Sequence, residues 1–186
     1  MASAAGLSWS RLEMAVSPLA AYVLTAMTTW VPIEEHAWVE RREVTVARYA
    51  DIAETIANVT VEEEPVFGGE LDAARARTAL LLASIASYES HFAARVDDCR
   101  VSLGGALGLW QTVAPRAKVC ADRTSAARVA LSMVRQSFDV CAGYEELDRL
   151  GFYTDGACGR DRGRSRWRVG RAIRFWRASP PHDLWR

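Results

Sequence analysis

The chain has 186 residues, of which 50% are apolar and 25% charged, with 23 basic and 23 acidic side chains. That is the composition of a folded soluble protein, long enough for one domain or one domain with an N-terminal extension. The balanced charge excludes a global nucleic-acid signature, but it hides an asymmetry: residues 1–98 carry 15 Asp/Glu against 7 Arg, and residues 156–186 carry 9 Arg against 2 Asp. A basic C-terminal end suits either a solvated helix face or an anionic partner.

The N-terminus lacks the basic start of a cleavable signal peptide, and Glu13 interrupts it. Met14 to Val31 is apolar and long enough to suggest a membrane span. Yet Leu12, Val16, Leu19, Val23, Leu24 and Met27 recur at three- and four-residue spacing. That pattern predicts an amphipathic helix packed on the domain, from about Ser17 to Trp30, with Pro18 in its first turn. Pro32 breaks it. A second helix is predicted from about Ile33 to Asn58, with Trp38, Val46, Tyr49, Ile52, Ala53 and Ile56 as its apolar stripe. Val59 to Gly69 reads as a connector, with an acidic run, Pro65 and Gly68-Gly69.

A third helix is predicted from Leu71 to Ser90, followed by a polar, glycine-containing stretch from Phe92 to Leu107 suited to irregular structure or a small hairpin. Pro115 ends the short segment after Gln111. A fourth helix is predicted from about Arg123 to Ala142, with Ala127, Ala130, Leu131, Val134 and Phe138 on one face. A helical turn follows from Tyr144 to Leu150, then a loop at Gly156 and Gly159. The last helix is predicted from about Ser165 to Arg177, with Trp167, Val169, Ala172, Ile173 and Trp176 inward or at an interface.

Cysteines stand at 99, 120, 141 and 158. Four cysteines allow three pairings; neighbour pairing would close two short loops. No pair has the close spacing of a zinc knuckle, so no metal is expected, nor any other cofactor. An even count confined to one region suggests oxidation in an extracytoplasmic setting.

Two segments carry the chemistry. Leu80 to Phe92 is an apolar run that ends in Glu89-Ser90, and Gly108-Leu109-Trp110-Gln111 follows at short range. Cleaving a glycosidic bond needs a proton delivered to the leaving oxygen, hence a carboxyl group that stays a proton donor at neutral pH. Glu89 sits at a predicted helix C-terminus, where the dipole disfavours negative charge, and Tyr88, Phe92, Leu109 and Trp110 would desolvate it. A second carboxylate, if one is used, would be Asp97 or Asp98; each is equally suited to capping a loop.

Glu89-Ser90 together with Gly108 to Gln111 resembles the soluble lytic transglycosylase branch of the lysozyme superfamily, in which an apolar helix ends in Glu-Ser and a Gly-Leu-Met-Gln-like turn follows. Trp110 takes the Met place, and His91 departs from the small residue often found there. Tyr153-Thr154-Asp155-Gly156 is a looser match to the family's late Tyr-Gly element. The resemblance covers roughly residues 71–177.

It implies a mainly α, lysozyme-like fold with at most a small β element. The expected organisation is an N-terminal helical extension over 1–69, a catalytic domain over 70–178 and a tail over 179–186. It also implies peptidoglycan strands as substrate, cut between MurNAc and GlcNAc by a single acid/base, Glu89. The sugar's own 6-hydroxyl would close the ring to a 1,6-anhydro end. Ser90, Gly108, Leu109, Trp110, Gln111 and Tyr153 are the expected substrate contacts, with Trp110 stacking on a sugar face. Two other expectations stand beside this one: a hydrolytic lysozyme using Asp97 or Asp98, and a virion or cell-wall protein in which the domain only binds or builds. A wall-active chain without an evident signal peptide points to a phage product, with structural partners docking on the N-terminal helices or the basic C-terminal helix; a bacterial secreted or anchored enzyme is the alternative if residues 14–31 insert in membrane.

Overall fold

The computed structural model describes residues 17–102, 104–160 and 162–181. Among these the chain is mainly helical: α1 (Pro18–Trp30), α2 (Arg42–Glu62), α3 (Leu71–Ser90), α4 (Ala94–Asp97), α5 (Arg116–Val119), α6 (Arg123–Val140), α7 (Gly151–Asp155) and α8 (Arg162–Ala178). The β content of the described residues is one antiparallel bridge, Leu107 to Thr112.

α1 starts where Ser17 accepts from the Ala20 N–H and Pro18 occupies the first turn, a position that needs no N–H. It ends ahead of Pro32, and its inner face is Leu19, Ala20, Val23, Ala26 and Met27. No helix among the described residues is long and apolar enough to cross a membrane. Leu12, Met14 and Val16 lie outside the described residues, as do Leu103, Asp161 and 182–186.

The predicted helix over Ile33–Asn58 is two elements. Ile33–His36 is a short 3-10 turn, and the α-helix begins only at Arg42. The reason is tertiary. The His36 imidazole Nε2 lies 2.9 Å from the Tyr49 hydroxyl. In one continuous helix these residues would stand about 20 Å apart along the axis. The reversal ejects Trp38, which is 85% exposed rather than part of the apolar stripe. The helix then runs on to Glu62, into the predicted connector.

α3 is the central element. Glu70 caps it through the Asp72 and Ala73 N–H groups. Ala79 to Ser87 are buried without interruption, as in a helix apolar on every side and surrounded by others. Leu80, Leu81, Leu82 and Ile85 are fully buried and contribute about 2 kcal/mol each. α1, α2 and α8 pack around α3, and α6 packs on α2, α5 and α7. One hydrophobic core runs from Leu19 to Ala172. The N-terminal helices therefore share one hydrophobic core with 70–178, as expected of a first helix packed on the domain.

Two disulfides, Cys99–Cys120 and Cys141–Cys158, realise the neighbour pairing. The first ties the segment after α4 to the end of α5, and the second ties the end of α6 to the loop before α8.

Candidate functional site

Glu89 stands in the last turn of α3, beyond the uninterrupted buried stretch. Its side chain is 21% exposed and lines a cleft of about 530 Å³. The cleft's other walls come from the reversal before α2 (His36, Trp38, Val39), from Arg48, and from the turn and short helix after α3 (His91, Arg95). One wall of this site is thus built by residues that the sequence placed in an extension. His91 closes α3 in the left-handed conformation, with φ 49°, and Phe92 follows at φ 52°. These two turns swing the chain out of the helix direction and open the cleft beside Glu89.

The neighbour of Glu89 is not the expected apolar wall. Arg168, from α8, donates from Nη2 to Glu89 Oε1. Its side chain is 3% exposed, and Nη1 donates to the Arg164 carbonyl at 2.9 Å. Its guanidinium carbon lies 3.8 Å from the centre of the Tyr88 ring, close enough for a cation–π contact. Neighbouring bonds hold the pair in register: Ser84 donates to the Arg168 carbonyl at 2.9 Å, and Arg171 donates to the Ser87 hydroxyl at 3.0 Å. To act as a proton donor, Glu89 must leave this partner.

The Gly108–Gln111 turn takes the expected tight form but faces elsewhere. Gly108 has φ 71°, and a Cβ there would lie 2.9 Å from Val119 Cγ1, so the position demands glycine. Leu109 is buried. Trp110 is 1% exposed, and its indole N–H donates to the Leu82 carbonyl at 3.0 Å. This corrects the expectation that Trp110 stacks on sugar: its ring fills the core. The Gln111 amide donates to the Gly108 carbonyl at 2.8 Å, so its N–H is used inside the turn. Gly108 and Leu109 line a separate hollow of about 410 Å³ with Asp51, Asp97, Asp98 and Arg123. None of Gly108–Gln111 lines the Glu89 cleft.

Ser90 is buried, donates to the Ala86 carbonyl at 2.7 Å and accepts from the Phe92 N–H at 3.1 Å; it finishes the helix and leaves Glu89 to Arg168. Tyr153 on α7 donates to the Trp110 carbonyl, and its N–H donates to Ser137. Burial pushes its phenol up, and the Glu89 charge adds to that against the opposing effect of Arg168. Tyr153 is therefore within electrostatic reach of Glu89 while its hydroxyl is occupied by the turn.

Asp97 is a correction of the same kind. It is held by the Arg123 guanidinium through Nε at 3.1 Å and through Nη2, which makes it a structural anchor between α4 and α6 and not a free second carboxylate. Asp98 lines the cleft and pairs with Arg100 at 3.2 Å.

The residues the sequence did not single out are Arg168, His36 and Arg48. Arg168 had a readable signal: Ser165, Arg168, Val169 and Ala172 share one buried α8 stripe. The Arg-rich run conceals it, because its Arg residues look alike. Arg162 and Arg166 pair with Asp148, and Arg164 pairs with Asp155, so much of the basic stretch is neutralised within the fold. His36 is held below the usual imidazole range, by burial first and by the Arg48 charge second, against the raising influence of Glu40, Glu35 and the His91 backbone. No group of acidic, His or Cys side chains among the described residues is placed to hold a metal ion. Comparisons with known protein families, with curated proteins and with solved structures each gave no match.

Proposed function

We propose that the chain cleaves peptidoglycan glycan strands between MurNAc and GlcNAc as a lytic transglycosylase, with Glu89 as its acid/base. The observation that carries this reading is the position of Glu89: a carboxylate ending the buried central helix, with its side chain lining a cleft of about 530 Å³. That volume lies within the roughly 300–1,000 Å³ of small-molecule sites. In the proposed reaction Glu89 leaves Arg168, takes up a proton from solvent and gives it to the glycosidic oxygen as the bond to the anomeric carbon breaks. The carboxylate then takes the proton of the 6-hydroxyl as that oxygen bonds to the anomeric carbon. Arg168 stabilises the carboxylate between the two steps, and no second carboxylate is consumed. Hydrolysis by water in place of the 6-hydroxyl uses the same acid.

The setting that fits this activity is extracytoplasmic, as a phage particle-borne lysin or an endolysin. Two disulfides support it, being characteristic of oxidising compartments.

A second, non-enzymatic reading has its own support. The Glu89–Arg168 pair and the inward-turned Trp110 are also what a structural or glycan-binding virion domain would hold. Mass spectrometry of fragments released from purified peptidoglycan separates the readings. Anhydromuropeptides are the expected product. Reducing-end muropeptides move the mechanism to hydrolysis, and no fragments from folded, oxidised protein favour the binding role.

A further inference from the structure

Arg48, on α2, lines the Glu89 cleft with a side chain only 9% exposed. Its Nη2 donates to Glu40 Oε2 at 2.6 Å, and Thr45 donates to the same carboxylate oxygen at 2.7 Å. Burial alone would push the Glu40 carboxyl up, but the hydrogen bonds from Arg48 and Thr45 outweigh it and hold the group below the usual carboxylate range. Arg48 Nε and Nη1 have no hydrogen-bond partner among the described residues. Buried polar groups are nearly always satisfied, so two bare donors on a buried cation beside a cleft point to something that binds there.

The neighbours narrow what that is. Arg95 lines the same cleft, is exposed, and has no acidic partner among the described residues. Trp38 stands at the lip, its indole N–H fixed on the Glu35 carbonyl at 2.9 Å, and presents an apolar face of the kind that sugars pack on. Glu35, Glu40, Glu89 and Asp98 line the cleft alongside Arg48, Arg95 and Arg100, so it does not suit a polyanion such as a nucleic acid. One carboxylate carried on an otherwise neutral sugar fits this balance. Guanidinium groups are well matched to such an acceptor.

We propose that Arg48 and Arg95 form a carboxylate-binding subsite in the Glu89 cleft, which takes the acidic group carried by a muramic-acid residue while Trp38 packs against the sugar. The choice of sugar rests on the peptidoglycan reading. The carboxylate comes either from the lactyl group or from the peptide stem attached to it.

Binding is measured by calorimetry and Trp fluorescence on the wild-type, disulfide-bonded chain with three probes that glycan cleavage does not consume. These are the GlcNAc–MurNAc disaccharide, its tripeptide-bearing form, and di-N-acetylchitobiose, which has no carboxylate. The expected result is at least ten-fold tighter binding of one acidic probe than of chitobiose, with the difference collapsing in Arg48→Gln and falling several-fold in Arg95→Gln. Preference for the first probe identifies the lactyl group, and preference for the second identifies the stem. Equal binding of all three probes, or no binding of any, overturns the subsite without recourse to a variant, so a poorly folded Arg48→Gln protein does not blur the answer. Carboxylate-selective binding by a protein that releases nothing from peptidoglycan sinks the enzymatic reading and leaves the subsite standing. Cleavage without selectivity does the reverse.

Discussion

Breaking the Glu89–Arg168 pair from each side tests the geometry of the cleft directly. Arg168 is 3% exposed and Glu89 is 21% exposed, so the two truncations are not equivalent. Glu89→Gln leaves the buried guanidinium without its counter-charge but keeps an oxygen for Nη2. Removing one partner of a buried pair costs about 3–5 kcal/mol. The retained hydrogen bond, the Arg164 carbonyl and the Tyr88 ring reduce that to about 2 kcal/mol here. Arg168→Met keeps the side-chain bulk and lets the carboxylate turn to water in the cleft. It still loses the Arg164 hydrogen bond and the Tyr88 contact, for about 2–3 kcal/mol. The double variant should be milder than the sum by about 1–2 kcal/mol, because the second substitution removes a charge that the first had stranded. Urea unfolding followed by far-UV circular dichroism, with an unchanged m-value, measures all three. Additivity within about 0.5 kcal/mol would refute the pair, and with it the statement that Arg168 must release Glu89 before a proton can be donated.

Separate removal of Cys99–Cys120 and Cys141–Cys158 by paired Cys→Ser substitution should each cost about 3 kcal/mol in denaturant unfolding, from loops of 21 and 17 residues; equal midpoints with and without reductant would contradict this. Trp110→Phe should destabilise the fold by about 1–3 kcal/mol through the lost bond to the Leu82 carbonyl and the smaller ring, yet leave glycan affinity unchanged. A selective loss of affinity would return Trp110 to the sugar. His36 is held neutral in the fold, so between its lowered native value and about 6.5 the unfolded chain binds more protons. Its contribution to stability is therefore complete above about pH 6.5 and is lost as pH falls through the native value. Urea midpoints from pH 7.5 to 4.5 should show this slope in the wild type and a shallower one in His36→Gln; parallel profiles would disprove it.

The parts of this fold that could be read from sequence are those with local causes. Ser17-Pro18 and Pro32 bracket α1, and Glu70 and Ser90 bracket α3, so these helices begin and end where their chemistry says. The break at Ala37 to Arg41 has no Gly or Pro to mark it. It depends on His36 meeting Tyr49, a contact no local pattern encodes. The same limit governs the site. The position of Glu89 at the end of an apolar helix is legible, but its partner lies 79 residues away on a helix crowded with Arg. The Gly108 turn is legible as a turn, because left-handed backbone needs glycine. Which way Trp110 points is decided by the Leu82 carbonyl and the space beside α3, and both are tertiary.

The most direct test of the central claim is the rate of release of soluble fragments from purified peptidoglycan by the wild-type protein and by Glu89→Gln, with circular dichroism confirming that both are folded. The account predicts release by the wild type and a loss of at least about 10²-fold in the variant, the usual scale for removing a general acid. Equal rates, or no release by the folded wild type, would contradict it.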